Sequence, residues 1–161
     1  MRGVYHPMAM RASGRAHLVV IAWLAASPAS WAARDAADEG LRSRLRRIEA
    51  AFRQGDAAGL RSCFSERAKV RVELKDLTEG GGLYGAGQLQ VIFARIFEQR
   101  RTRSMRFPRD DVRVPAAGTA FARALWVHAG SRDGGERTDA LMLTLQAEQG
   151  DWRIIEMRSA R

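Results

Sequence analysis

Three residues in the C-terminal third of the chain are candidates for acid–base chemistry: His128, Asp139 and Glu156. Each lies in a segment where apolar and polar residues alternate, and turn sequences at 132–135 and 149–151 separate the segments. Alternation with a period of two predicts strands, and the turns predict two antiparallel hairpins. We therefore expect the three side chains on neighbouring strands of one sheet.

The centres of the two turns decide which side chains meet. If residues 133 and 134 centre the first hairpin, His128 lies opposite Asp139; if residues 149 and 150 centre the second, Leu143 lies opposite Glu156. Opposed side chains have Cβ atoms roughly 5 Å apart. These registers put one set of side chains on a single face: Trp126, His128, Asp139, Leu141, Leu143, Glu156 and Arg158. A slip of one residue in either turn would move side chains to the opposite face.

This set of residues has two interpretations. An imidazole beside a carboxylate is a usable acid–base pair, because the carboxylate fixes the tautomer and raises the basicity. Glu156, desolvated beside Trp126, could supply a further acid or base. Alternatively, His128 and Asp139 are a polar pair near the end of the sheet, and Glu156 and Arg158 form an ion pair without catalytic use.

A pocket for a small hydrophobic molecule is the second candidate site. The expected lining is Tyr84, Trp126, Leu141, Leu143 and Arg158. Side chains of these apolar types pack equally well in a core. No metal and no cofactor is expected. A His/Cys metal site has too few ligands, because His128 and Cys63 are the only histidine and cysteine beyond the N-terminal 32 residues. A calcium site made of carboxylates alone stays open, although the sequence has no recognisable calcium loop.

Composition limits the class of protein. The chain has 161 residues, of which 46% are hydrophobic and 28% charged, with a formal net charge of +9 and one cysteine. It is too apolar for a disordered chain and too poor in cysteine for a disulfide scaffold. Its length suits one domain.

The N-terminus predicts a secretory signal peptide over residues 1–32. Arginines precede an apolar run at 18–26, and Ser30 and Ala32 place small residues before a cleavage point. A membrane anchor is the alternative, but the uncharged stretch 18–33 is shorter than the roughly 20 residues that span a bilayer. Met8 or Met10 could be the true start. We therefore expect an exported protein, periplasmic or secreted, with one domain over residues 33–161, no integral membrane span after cleavage and a net charge of +6.

The mature chain predicts helices first and strands afterwards. Leu41, Leu45, Ile48 and Phe52 recur at helical spacing, which predicts a helix over 35–53. A short helix over 56–64, a strand over 69–74 and a third helix over 86–101 follow. Strands complete the chain to residue 159. The fold class is therefore α+β, with three N-terminal helices packed on a curved, mostly antiparallel sheet.

Three segments carry a resemblance to a known superfamily: "AFRQGDAAGLRSCFSERAKV", "GLYGAGQLQVIFARIF" and "GDWRIIEM". Over about residues 36–159 the chain resembles the nuclear transport factor 2-like superfamily, including its SnoaL-like members, and looks like one of its exported bacterial domains of unknown function. The resemblance implies a cone-shaped, cystatin-like α+β roll with a ligand pocket. Its members include isomerases, dehydratases, cyclases and non-catalytic modules, so the fold leaves the function open.

The resemblance transfers no catalytic residue. The ketosteroid-isomerase branch needs a tyrosine and an acid facing a catalytic acid, and that set cannot be placed on this sequence. We expect a ligand-binding or assembly module without catalysis. The alternative is a small pocket enzyme of the isomerase, dehydratase or cyclase type that uses His128, Asp139 and Glu156 on a hydrophobic carbonyl compound.

Two surfaces are candidates for interaction with partners. Five arginines lie within ten residues: Arg100, Arg101, Arg103, Arg106 and Arg109. They could meet phosphates, acidic glycans or anionic lipid, or they could be a solvated helix end and strand edge. Nucleic acid is not expected, because export makes it a poor partner. A homodimer is expected through the opposite sheet face, formed by Leu125, Val127, Met142, Ile155 and Met157.

Overall fold

The protein consists of helices packed on one sheet. The computed structural model describes residues 28–75, 78, 80–116, 118–130 and 134–160, with side chains from residue 38 onward. Most of the predicted signal peptide lies outside these residues. The helices are α1 (Pro28–Gln54), α2 (Ala57–Arg61) and α3 (Ala86–Gln99). The strands are β1 (Val70–Glu73), β2 (Gly82–Tyr84), β3 (Arg100–Arg106), β4 (Val112–Ala116), β5 (Thr119–Gly130), β6 (Glu136–Glu148) and β7 (Asp151–Ser159).

Helix α1 buries the apolar stripe that the sequence predicts. Leu41, Leu45, Ile48 and Phe52 are all buried against the sheet. The helix ends before Gly55, whose φ of 66° is a left-handed conformation that favours glycine. It begins at Pro28, so its first turn lies within the predicted signal peptide. In the part of the chain that is described, no helix combines the length and apolarity needed to cross a bilayer.

The sheet confirms the α+β class and its mostly antiparallel character. Its strand order is β2-β1-β7-β6-β5-β3, with β4 also paired to β5, and β1 and β7 are the parallel pair. Strands β3 and β4 therefore follow each other along one side of the long strand β5. Helices α1 and α2 precede β1, whereas α3 follows β2, so the helices are not one continuous N-terminal group.

In the first hairpin, the pairing of β5 with β6 is shifted by two residues from the predicted register. His128 is opposite Arg137, and Asp139 is opposite Trp126. The paired strands end at Ala129 and Glu136, so the connection between them is wider than a two-residue turn. Because the shift is an even number of residues, every side chain keeps its predicted face.

The second hairpin departs from prediction through a β-bulge. Near the turn the predicted register is correct, with Leu145 opposite Ile154. Ile155 is then an extra residue on β7, and from there Thr144 is opposite Glu156 and Leu143 is opposite Met157. One extra residue turns every later side chain of β7 to the other face.

A buried arginine joins three elements. The side chain of Arg44, on α1, is 3% exposed and donates hydrogen bonds to the Ser62 carbonyl oxygen at 3.1 Å, to the Cys63 sulfur at 3.6 Å and to the Asp151 carboxylate. Cys63 is fully buried. Arg153 also lies 3.2 Å from Asp151. These contacts fix α1 to the end of α2 and to the β6–β7 turn.

The contacts of Arg44 shift the pKa of two groups, Asp151 and Arg44 itself. Burial raises the pKa of Asp151, but the hydrogen bond and charge of Arg44, helped by Arg153 and the Trp152 N–H, outweigh it and leave the pKa below its ordinary value. Burial likewise lowers the pKa of Arg44, and its bonds to Asp151 and Cys63 more than offset this. Arg44 therefore stays charged inside the protein.

We predict that Asp151→Asn destabilises the protein at neutral pH by about 1–2 kcal/mol, since it leaves the buried Arg44 without its counter-charge. The cost is modest because the Asp151 side chain is 44% exposed and solvent screens the pair. A carboxylate whose pKa is lower in the folded state stabilises the folded protein at pH values above its unfolded pKa, which is near 3.8 for Asp151. This stabilisation is lost as the pH falls through the pKa of the folded state. Urea unfolding should therefore show that the difference in the free energy of unfolding between Asp151→Asn and the unsubstituted chain disappears below about pH 4.

The matched control is Asp110→Asn, an exposed carboxylate with no ion pair among the described residues. It should leave both the free energy of unfolding and its pH dependence near those of the unsubstituted chain. A gap for Asp151→Asn that stays constant into strong acid would contradict the pairing.

Candidate functional site

The predicted His128–Asp139 pair forms. The His128 Nε2 atom lies 2.8 Å from the Asp139 Oδ2 atom, a charge-assisted distance. The contact runs diagonally between β5 and β6, because the two residues are not direct cross-strand partners. The long connection of this hairpin thus changes the register without separating the pair.

The imidazole of His128 is enclosed. Its side chain is 1% exposed, whereas that of Asp139 is 42% exposed. The Trp126 ring lies 4.2 Å away between centroids, and the Trp126 Nε1–H donates to the Thr102 Oγ1 at 2.9 Å. Asp139 thus faces solvent and Trp126 covers the histidine from the core side.

The chemistry open to this pair is limited by access. An Nε2–H that donates to Asp139 leaves Nδ1 as the free acceptor, and Nδ1 is buried without a hydrogen-bond partner among the described residues. A general base must reach the proton that it takes, directly or through a water molecule. In this conformation the pair holds β5 to β6, and Asp139 is its reachable group.

Glu156 and Arg158 do not join the pair, contrary to the prediction. The bulge at Ile155 puts both on the outer face of the sheet, away from the helices. There the Thr144 hydroxyl donates to the Glu156 Oε2 at 3.0 Å, and Arg158 is exposed. The inward position is taken by Met157, which is fully buried. Met157 therefore also leaves the predicted dimer face.

Of the predicted pocket residues, Trp126, Leu141 and Leu143 share the inner face as predicted, whereas Tyr84 and Arg158 do not join them. Tyr84 is on β2, four strand spacings from Trp126 on β5, which is roughly 19 Å. Leu141 and Leu143 are fully buried core residues on β6. The five predicted lining residues thus belong to the core, the outer face and the opposite edge of the sheet.

Aromatic rings fill the region between the helices and the sheet. Phe52 makes edge-to-face contacts with Trp126, Phe93 and Phe97 at centroid distances of 5.4, 5.9 and 5.3 Å. Phe64 lies against Phe93 at 5.6 Å. These rings come from α1, α3, β5 and the segment after α2, so they pack all the layers together. The space next to His128 on the core side is therefore occupied by side chains.

A cleft of about 700 Å³ lies elsewhere, between the middle of α1, residues 38–49, and the β3–β4 connection. Its lining is Asp38, Glu39, Leu41, Arg42, Leu45, Arg46, Glu49, Phe107, Arg109, Val112 and Val114. Leu41 and Leu45 form a buried floor, and Val114 is 44% exposed. The cleft combines an apolar floor with a charged rim, as small-molecule sites do.

Most charges on the rim already have partners. Glu39 accepts from Arg46 at 2.8 Å and lies 3.8 Å from Arg42. The hydrogen bond and charge of Arg46, with a smaller contribution from Arg42, lower the pKa of Glu39. Glu49 accepts the Phe107 N–H at 2.9 Å and ties α1 to the end of β3. Among the described residues, Asp38, Glu49 and Arg109 are the rim charges without an ion pair.

Sequence reasoning missed this cleft. The signal that the charges of α1 line a cleft lies in the opposite wall. Pro108 interrupts the edge between β3 and β4, and the apolar Phe107, Val112 and Val114 follow one another around it. Apolar residues on both sides of a proline at a sheet edge are the observation that could have predicted the cleft.

A second cavity of about 430 Å³ lies between the segment after α2 and the start of α3. Its lining is Arg61, Ser65, Glu66, Arg67, Ala68, Lys69, Gly85 and Ala86. Ser65 donates to Glu148 at 2.6 Å. This cavity lacks an apolar floor. Among the described residues, no group of three or more His, Cys, Asp or Glu side chains could hold a metal ion.

Solved structures match this arrangement of helices and sheet. An NTF-2 like protein of unknown function from Shewanella oneidensis superposes with a TM-score of 0.60 at 12% identity, over 77% of this chain and 98% of the other. A domain of unknown function with a cystatin-like fold from Nostoc punctiforme gives 0.61 at 17% identity, over 78% and 77%. The chain has the nuclear transport factor 2-like fold. No family model and no curated protein sequence matches it.

One of the similar structures has a description that suggests an activity. A Bacillus subtilis protein provisionally described as an isomerase matches with a TM-score of 0.60 at 16% identity, over 76% of this chain and 86% of the other. At identities this low, the superpositions establish the nuclear transport factor 2-like fold and nothing about function. Function must therefore be argued from the chain's own residues.

We predict that Asp139→Ala lowers the free energy of unfolding by about 1–2 kcal/mol, because the buried His128 Nε2 loses its acceptor. Asp139→Asn should cost less, since the amide oxygen can still accept. Urea unfolding measures both. Glu136→Ala, an exposed residue on the same strand, is the control and should have little effect; equal losses for Asp139→Ala and Glu136→Ala would show that the His128 contact contributes nothing.

Proposed function

We propose that this protein is an exported small-ligand-binding or assembly module that works without catalysis. The observation that carries the proposal is the aromatic packing around Trp126 and Phe52, which occupies the interior where a pocket at His128 would have to lie. The cleft beside α1 is open instead, and its side chains suit binding.

The lining of the cleft favours a small amphipathic molecule. Leu41, Leu45, Phe107 and the two valines offer an apolar wall on both sides. Arg109 is the rim cation without an ion pair among the described residues, so an anionic group such as a carboxylate is the complement it lacks. The ligand would then lie with its apolar body against the leucines and its charge towards Arg109.

A second candidate function rests on the 2.8 Å contact between His128 and Asp139. A carboxylate-oriented imidazole is a functional unit of many enzymes, and here it would act on a small carbonyl compound of the isomerase, dehydratase or cyclase type. Glu156 takes no part, because it lies on the opposite face. This function needs a motion that uncovers His128, so the non-catalytic module is the simpler assignment.

For the binding site, we predict that Val114→Trp weakens binding of the fluorescent probe 1-anilinonaphthalene-8-sulfonate by about tenfold, because the indole fills space needed by an apolar body. The probe joins aromatic rings to an anionic sulfonate, which matches the cleft. Val91→Trp is the control, since Val91 is 56% exposed on α3 and outside the cleft. Probe fluorescence titration measures both; equal weakening, or none in Val114→Trp, would rule out the cleft.

For export, we predict that the chain is cleaved after Ala32 and that the mature protein begins at Ala33. Intact-mass measurement on the periplasmic or secreted fraction checks this. Ala32→Arg should block cleavage, because the position before the cut requires a small residue. Trp31→Ala is the control and should be processed normally; full-length protein held in the membrane fraction would contradict the proposal.

A further inference from the structure

The arginines near the end of α3 and along the sheet edge form one surface. We define the arginine border as Arg101, Arg103, Arg106 and Arg113, on β3 and β4. All four are exposed. Arg101 is opposite Ala129, Arg106 is opposite Leu125 and Arg113 is opposite Phe121 on β5. Cross-strand partners share a face, so these three arginines lie on the outer face of the sheet, away from the helices. Arg103 is the extra residue of the β3 bulge.

The charge of the border is only partly compensated by its surroundings. None of its four arginines has an ion pair among the described residues. Of the nearby acids, Asp111 is bound to Arg123 at 3.3 Å. Asp110 is exposed, and Glu136 is opposite Ala129 in the same row as Arg101. Arg123 is itself on the outer face, opposite Met142, and Arg158 is the next residue across that row. The edge half of the outer face therefore presents an excess of guanidinium groups.

Apolar side chains lie between these arginines. Phe121 is 41% exposed, and Leu125 and Val127 are half-buried on the same face. A strand edge protected only against aggregation needs charge, and it does not need an exposed phenyl ring among the charges. Arginines around an exposed aromatic ring are the composition expected where a protein meets an interface between charged and apolar surroundings.

We propose that the arginine border and Phe121 dock this protein onto a membrane surface rich in anionic phospholipid. The guanidinium groups bind the headgroup phosphates, for which their planar donors are suited. Phe121 enters the boundary between headgroups and acyl chains. The surface attracts each arginine, and Arg101, Arg106 and Arg113 act together because they share one face.

A second copy of this chain fits the same face less well. In a two-fold symmetric dimer, each residue near the axis meets its own equivalent, so arginines would approach arginines. Like charges brought together across an interface cost free energy. The predicted dimer face, Leu125, Val127, Met142 and Ile155, lies directly beside the border, and dimerisation there is an alternative that the experiment must separate.

The test is co-flotation of the purified full chain with vesicles of equal parts phosphatidylglycerol and phosphatidylcholine, and with vesicles of phosphatidylcholine alone. We expect binding to the mixed vesicles that weakens as salt is raised. The triple variant Arg101→Glu, Arg106→Glu and Arg113→Glu should lower partitioning on the order of 100-fold. Phe121→Ser should weaken it without removing the salt dependence.

The matched control reverses three other exposed arginines, Arg47→Glu, Arg53→Glu and Arg95→Glu, which lie on α1 and α3 and have no ion pair among the described residues. It changes the net charge by the same amount and should retain most of the vesicle binding. If the triple border variant does not fold, judged by circular dichroism, Arg→Gln at the same three positions replaces it and should give an intermediate loss.

Four results would overturn the proposal. Equal binding to both kinds of vesicle would remove the role of anionic lipid, and equal losses in border and control variants would show that only net charge matters. Binding to heparin resin without binding to vesicles would assign the border to an acidic polysaccharide. A dimer in light scattering that dissociates in Phe121→Ser, together with no vesicle binding, would assign the face to a second copy.

Discussion

The packing of Phe52 against Trp126 is the contact on which the rest of the structure depends. Phe52 belongs to α1 and touches rings from α3 and β5 at once. Edge-to-face contacts of this kind stabilise by about 0.5–1.5 kcal/mol each beyond the area they bury. They hold both long helices against one place on the sheet. Trp126, one of these rings, also covers His128. The cleft lies along the middle of α1, at residues 38–49.

Sequence reasoning predicted much of the fold because the apolar spacing of α1 and α3 is regular and the C-terminal strands alternate. It also predicted that His128 and Asp139 meet, since an even error in register leaves the face of each side chain unchanged. Glu156 and Arg158 were placed on the wrong face because the bulge depends on a single residue, Ile155, whose apolar character fits either register. The cleft could not be predicted, because it depends on how far apart α1 and the β3–β4 connection lie.

The arginines have several physical roles that composition alone does not separate. Arg44 is buried and joins α1 to the β6–β7 turn through Asp151. Arg42 and Arg46 neutralise Glu39 at the rim of the cleft. The arginine border has no such partners among the described residues. The arginines of this basic chain therefore fall into two groups. Some stabilise the fold through ion pairs, and others are exposed to solvent without an ion pair among the described residues.

The bulge at Ile155 divides β7 into two parts in which residues of opposite parity face the core. Before it, Trp152 and Ile154 point into the core, at even positions; after it, the odd-numbered Met157 does so. An alignment that passes through this point without a gap would compare core residues of one protein with surface residues of another. Relatives of this chain should therefore be aligned separately on the two sides of residue 155.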